Sequence, residues 1–294
     1  MGFHNIHLQA VIYASAPLNA PFPLTHMTRV SLLGYAGYRV RAAVRSPEKA
    51  RRIFATPSIK ALAPGDRLSF VQVPDMQVDG AYDEAIKGAQ YAIHVASPIH
   101  PQNPDIPNLT EYFIHPAIRG SMGLLTSAQQ AGSIRRVVIT SYTGAILPWS
   151  AIVSGQVENV VNENTRVPTP TEYSFHFETY AASKPSFDVF HLFPAFVIGA
   201  DELVTDATDA LRGANREILD SVVLGEDKAI ANASVHLDDV AEAHVRCLDP
   251  KVPGNGGFIL ISKGLQGTNW GDSLEITARK FKKEVESGLL QMML

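Results

Sequence analysis

Arg136-Val137-Val138-Ile139-Thr140 is a continuous apolar run, the kind of strand that is buried on both faces of a sheet. Upstream of it the pattern alternates. Arg39 to Val44 reads as a strand, and Pro47 to Phe54 as a helix opened by proline and filled with helix formers Glu48, Lys49 and Ala50. Leu68 to Val73 is again strand-like, Gly80 to Lys87 helical, Tyr91 to Ala96 strand-like and Gly120 to Gln130 helical. Alternation of this sort implies right-handed βαβ crossovers, and so an α/β protein with a doubly wound parallel sheet. Downstream, Leu147 to Phe177 is proline-rich and aperiodic, and predicts a long loop over the carboxyl edge of the sheet, where ligands of such folds sit. Asp188 to Phe193 reads as the next strand. Beyond Gly199 we expect a helix near Val204 to Arg212, a strand at Val222 to Leu224, a helix at Asp239 to Cys247, a strand at Gly257 to Ser262 and a helix at Gly271 to Phe281.

The 294 residues, 46% of them hydrophobic, suffice for a large core. A formal charge of -4, with Lys and Arg scattered, gives no footprint for nucleic acid and favours a small-molecule partner. Cys247 is the single cysteine, so neither an internal disulfide nor a thiolate metal cluster can form, which predicts a reducing, cytoplasmic setting. The apolar stretch Leu8 to Ala16 has no basic residue ahead of it and reads as a buried strand rather than an export signal. No apolar run approaches the ~20 residues a membrane span needs, and the histidines show no metal-ligand spacing.

Tyr180-Ala-Ala-Ser-Lys184 has the spacing that puts two side chains on one face of a helix. An ammonium beside a phenol favours the phenolate and draws its pKa toward working pH, which makes a proton donor for a carbonyl undergoing reduction. The bland alternative is an ordinary helix start with its lysine in water.

Order along the chain adds to this. Val40-Arg-Ala-Ala-Val-Arg45-Ser-Pro-Glu-Lys49, Val73-Pro-Asp75-Met76, Ile93-His-Val-Ala96-Ser97-Pro98, Val137-Val-Ile-Thr-Ser141, Tyr180 to Lys184, Phe193 to Gly199 and Val235 to His244 follow one another as successive landmarks. Together they resemble the extended short-chain dehydrogenase/reductase family, in its dihydroflavonol-reductase-like branch that includes fungal ketoreductases. The resemblance covers roughly residues 37 to 290. It implies a Rossmann-like domain over residues 1–198 and a small C-terminal substrate-binding part over 199–294. It also implies NADP(H) as cofactor, since Arg45 ends the second strand where an acidic residue would hold the ribose hydroxyl of NAD, and a guanidinium suits the 2′-phosphate. Lys49 would add a second charge or remain a solvated helix residue. Asp75 and Met76 would flank the adenine, and Val95, Ala96 and Ser97 would line the trough near pyrophosphate and ribose. Pro194 and Val197 would touch the nicotinamide end, with plain strand-end and turn roles as the alternative. Tyr180 and Lys184 would carry catalysis and hold the nicotinamide ribose, and Ser141 or a neighbour would polarise the carbonyl. Asp238 and Asp239 read as a turn and helix cap.

Four departures from that family accompany the matches. The first strand, expected at Gln9 to Ser15, leads through Ala16-Pro-Leu-Asn-Ala-Pro-Phe-Pro-Leu24, without the glycines that let pyrophosphate approach a helix N-terminus, toward a helix at Thr25 to Leu33. The position of the family's serine, in a Thr-Ser-Ser run, holds Tyr142, leaving Ser141 or Thr143 as substitutes. Pro185 follows Lys184 directly, so a helix holding only Tyr180 to Lys184 would rise ~7.5 Å, against ~17 Å for a typical strand. Relatives continue past Leu294, so the C-terminal part is expected to be truncated. The expectation is therefore an NADP(H)-dependent reductase of a small ketone or aldehyde. Its rivals are an impaired descendant that binds without catalysis and an epimerase or dehydratase on the same fold.

Overall fold

The structure, a computed structural model, describes residues 37–96, 108, 110–147, 162, 165, 186–203, 215 and 234–262, and the backbone of 9–12. Seven strands form one sheet in the order β3-β2-β1-β4-β5-β6-β9. These are β1 Gln9–Ile12, β2 Val40–Val44, β3 Leu68–Gln72, β4 Tyr91–His94, β5 Arg136–Thr140, β6 Asp188–Pro194 and β9 Gly257–Leu260. The remaining strands, β7 Phe196–Ile198 and β8 Ser234–His236, pair in parallel in a sheet of their own.

Parallel registers run Val40↔Leu68 to Val44↔Gln72, Tyr91↔Arg136 to His94↔Ile139, and Arg136↔Asp188 to Thr140↔Leu192. β1 occupies the slot between β2 and β4, as the sequence order predicts, but it runs antiparallel to both, pairing Gln9↔Ala43, Val11↔Arg41 and Ile12↔Tyr91. Both its neighbours oppose it, so β2 to β6 share one direction and their carboxyl ends meet at one edge of the sheet. β1 is the exception to an otherwise parallel core; it is described over Gln9–Ile12, and residues 13–15 of the expected strand lie outside the described residues. The physical reason lies in the connection. A parallel neighbour needs a crossover begun by a tight turn at the carboxyl edge, and Ala16 to Leu24 offers three prolines and no glycine for that turn. An antiparallel neighbour needs no crossover. The expected first helix at Thr25 to Leu33 lies outside the described residues.

The helices are α1 Pro47–Phe54, α2 Pro57–Leu62, α3 Asp83–Ile86, α4 His115–Ala131 and α5 Leu237–Arg246. Ser46 opens α1, its hydroxyl accepting from the Lys49 N–H at 3.5 Å, and Pro47 follows in the first turn, where a missing N–H costs nothing. α3 and α4 cover one face of the sheet. Tyr82, Ala85, Ile86, Leu124, Leu125 and Ala128 pack there on Ala43, Ala92, Val137 and Ile139. Gly120 makes the contact close, since a Cβ there would stand 2.9 Å from Met76 Sδ. On β5, Thr140 Oγ1 lies 2.6 Å from Nε2 of the buried His244 of α5.

Arg136 ties the start of β5 to the chain leaving α5. Its guanidinium donates to the carbonyls of Cys247, Asp249, Pro250 and Val252 at 2.8 to 3.3 Å, sits 3.5 Å from the Asp188 carboxylate and lies over the Phe190 ring. A buried cation is tolerated only with such a set of partners.

The chain divides into two compact units, each assembled from separated stretches. The first comprises Met1–Ser141, Pro168–Leu192 and Ala241–Phe258, the second Tyr142–Val167, Phe193–Val240 and Ile259–Leu294. In the second unit Ala195, Val235 and Val240 form a small core with Val197, Leu260 and Ile261. The Ala195 N–H donates to Leu260 O at 2.9 Å, and the Ser262 N–H to Ser234 O at 2.7 Å.

Candidate active site

Within the first unit the shared strand direction brings the residues that follow β2, β3, β4 and β5 to one edge. Arg45 stands exposed at the end of β2, its carbonyl accepting from Gln72 Nε2 at 3.3 Å. Lys49 lies one turn into α1. Partial burial, then the nearby Arg45 and Arg52 charges, hold its ammonium below the usual lysine range. Cations drawn together at the opening of an eight-residue helix, whose first N–H groups point outward, suit a dianion such as a phosphate monoester.

The end of β3 is pinned by the Val73 N–H donating to Val44 O at 2.8 Å. Asp75 follows, exposed, its carboxylate accepting from the Gln77 N–H at 2.9 Å in a tight local turn. The Met76 thioether is turned inward and belongs to the core. After β4, Val95 is half-buried and Ala96 buried, both too small to close off the edge. After β5, the Ser141 N–H donates to Leu192 O at 2.7 Å and its side chain is half-buried. Ser97, Tyr180 and Lys184 lie outside the described residues. In the second unit, Pro194 is buried at the end of β6, and Val197 sits mid-strand in β7, paired with Val235 and packed in the small core. Asp238 and Asp239 stand in the first turn of α5, where carboxylates favour the helix dipole.

For a dinucleotide, this edge fits at one end and departs at the other. At one end stand the exposed Arg45 and the nearby Lys49, cations of the kind that suit a phosphate. The pyrophosphate end, in folds of this kind, is met by the turn that leaves the carboxyl end of the central strand. Here β1 ends at the opposite edge, its Ile12 paired with Tyr91 and its Val11 with Arg41. Two open clefts among the described residues, of about 1100 and 800 Å3, lie along α3 and α4 and around Gln90, Arg135 and Asp188, and contain none of the predicted site residues. Among the described residues no group of three His, Cys, Asp or Glu side chains could hold a metal, and no helix is long and apolar enough to cross a membrane. Tyr142 is 46% exposed, and its ring overhangs Gly144 two residues on, a spacing visible in the sequence.

A wound sheet of five same-facing strands, carrying a cationic helix opening at its carboxyl edge, defines a Rossmann-like nucleotide-binding architecture. No family model matches the chain. It is 34% identical over 275 residues to a ketoreductase of Cercospora beticola, covering 86% of this chain and 76% of that protein. A ketoreductase of Aspergillus fumigatus is 30% identical, covering 84% and 77%. Among solved structures, Gre2 of Candida albicans in complex with NADPH superposes with a TM-score of 0.68 at 22% identity, covering 87% of this chain and 79% of that one. Vestitone reductase of alfalfa gives 0.62 at 19%, covering 90% and 79%. The chain belongs to the extended short-chain dehydrogenase/reductase family, in its dihydroflavonol-reductase-like branch.

Proposed function

We propose that this protein reduces a ketone or aldehyde group of a small apolar or aromatic metabolite with NADPH as hydride source. The observation that carries the cofactor reading is Arg45, exposed at the end of β2 beside the first turn of α1, with Lys49 close enough for the two charges to feel each other. An ordinary dinucleotide site selecting NAD would present a carboxylate there. The names of the similar proteins, two ketoreductases and an NADPH-bound reductase structure, support the same reading.

When bound, the nicotinamide would supply the hydride to the carbonyl carbon. The chain supplies the rest. Tyr180 gives its phenolic proton to the carbonyl oxygen, and Lys184, four residues on, stabilises the phenolate left behind and holds the ribose. Ser141 or a neighbour at the end of β5 donates a hydrogen bond to the same oxygen as it gains charge. Asp75, Val95, Ala96 and Ser97 would line the cofactor trough, whereas the inward Met76 and the core residue Val197 act as packing residues. The single cysteine fits work in the cytoplasm.

The reversed β1 favours a second reading, an impaired member of the family that has lost cofactor binding and serves as a non-catalytic binding protein for another partner. Nicotinamide fluorescence separates the two. Wild-type protein should bind NADPH saturably. Arg45→Ala should weaken NADPH by about 10- to 100-fold, as expected for loss of a charge-assisted hydrogen bond, and leave NADH unchanged. Absence of saturable binding would favour the second reading.

A further inference from the structure

Lys49 stands where a cation is poorly accommodated. It lies in the first turn of α1, at the positive end of the aligned peptide dipoles, a place that stabilises a carboxylate and not an ammonium. Arg45 precedes the Ser46 cap and Arg52 follows three residues on in the same helix, both near enough for their charges to act on Lys49. Among the described residues the one carboxylate acting on it is that of Glu48, whose effect is smaller than that of either guanidinium. The lysine side chain is half-buried, so water screens these charges incompletely. All four residues belong to the first compact unit.

Two consequences point the same way. Burial first, then Arg45 and Arg52, hold the ammonium below the usual lysine range, which leaves more of the amine neutral and nucleophilic at a given pH than in a lysine surrounded by water. The same two guanidinium groups draw in an anion that carries phosphate. A nucleophile inside a cationic cluster therefore matches a reagent whose electrophilic carbon is attached to a phosphate. The other described lysines lack this combination. Lys87 is paired with Glu84, and Lys60 and Lys251 stand exposed.

We infer that Lys49 is a modification site, its amine taking the acyl group of a small acyl phosphate while Arg45 and Arg52 hold the phosphate. In the balanced step the neutral nitrogen attacks the acyl carbon and a C–N bond forms. The bond from that carbon to the bridging phosphate oxygen breaks, and inorganic phosphate leaves with the electron pair. The proton lost by the nitrogen goes to the departing phosphate, and nothing is oxidised or reduced. The resulting amide carries no charge. The acylation itself is independent of the carbonyl reduction proposed above, but its effect on cofactor rests on that reading: removing the Lys49 charge should weaken NADPH.

The test is incubation of the full chain with acetyl phosphate in the absence of nucleotide, followed by peptide mass spectrometry. Lys49 should be acetylated about tenfold faster than Lys60 or Lys251, as expected where neighbouring charges act on both amine and reagent. Arg52→Gln should slow labelling of Lys49 about five- to tenfold, Arg52→Lys should retain it, and the uncharged donor phenyl acetate should lose most of the preference. Lys49 labelled no faster than Lys60, or labelled at the wild-type rate in Arg52→Gln, would overturn the site. Fluorescence titration then reads the consequence. Acetylated wild-type protein should bind NADPH about tenfold more weakly than untreated protein, whereas Lys49→Arg should show no change on the same treatment. Unchanged affinity after labelling would overturn the effect on cofactor, and untreated protein that binds no NADPH would overturn that effect together with the cofactor reading; neither result touches the labelling pattern, so the failures are distinguishable.

Discussion

His94 closes β4 with its imidazole 3% exposed, packed edge-on against Tyr82 with ring centroids 6.3 Å apart. Burial pushes its pKa down to about 4, so the ring is neutral in the folded protein at any ordinary pH. In the unfolded chain it protonates near 6.5. Between those values only the unfolded state takes up the proton. The stability that His94 contributes is therefore whole above pH 6.5 and falls as pH drops toward 4, by about 3 kcal/mol across the window. Urea unfolding from pH 7 to 4.5 should show this loss, and His94→Phe should flatten it; parallel curves for the two proteins would refute the assignment. At this scale the sequence was informative where a residue's role follows from its place on a strand end. Arg45 is exposed as its motif implies, whereas the inward turn of Met76 depends on Gly120 of the overlying α4, a contact no local pattern announces.

At the scale of elements, β5 and α1 were legible to the residue, because an apolar run and a Ser-Pro helix start are strong local signals. α4 was read from Gly120 but begins at His115, since Pro116 in the first turn of a helix is indistinguishable by pattern from proline in a loop. α2 was not foreseen. Its six residues carry too little periodicity. Nor was β8, whose three residues gain their strand character from pairing with β7. Arg136 is the clearest case of an interaction between elements. Replacing it with methionine would strand four carbonyls and the Asp188 carboxylate that now share its guanidinium. We expect Arg136→Met to cost about 3 to 5 kcal/mol of unfolding free energy, measured by chemical denaturation, with the loss partly recovered when Asp188 is changed to asparagine in the same chain. A loss below about 1 kcal/mol would mean that the carbonyls find water instead.

Across the whole molecule, strand–helix alternation announced the wound sheet, and right-handed crossovers then fix the edge at which Arg45, Asp75, Ala96 and Ser141 gather. The direction of β1 could not be read in the same way. A period-2 pattern looks the same from either end, and only the connection that follows a strand decides which way it enters. In this chain that connection carries prolines where its relatives' fold class uses glycines, and the central strand enters reversed. The carboxyl edge keeps Arg45 beside the opening of α1 while β1 points to the opposite edge, so whether hydride transfer survives is the question on which the functional account stands. The direct measurement is mass spectrometry of the alcohol formed from 2-acetylnaphthalene, a flat aromatic ketone, with NADPH carrying deuterium at both C4 positions of the nicotinamide. The account predicts one deuterium on the new carbinol carbon in stoichiometry with NADPH consumed, and unlabelled or absent product at saturating NADPH would contradict it.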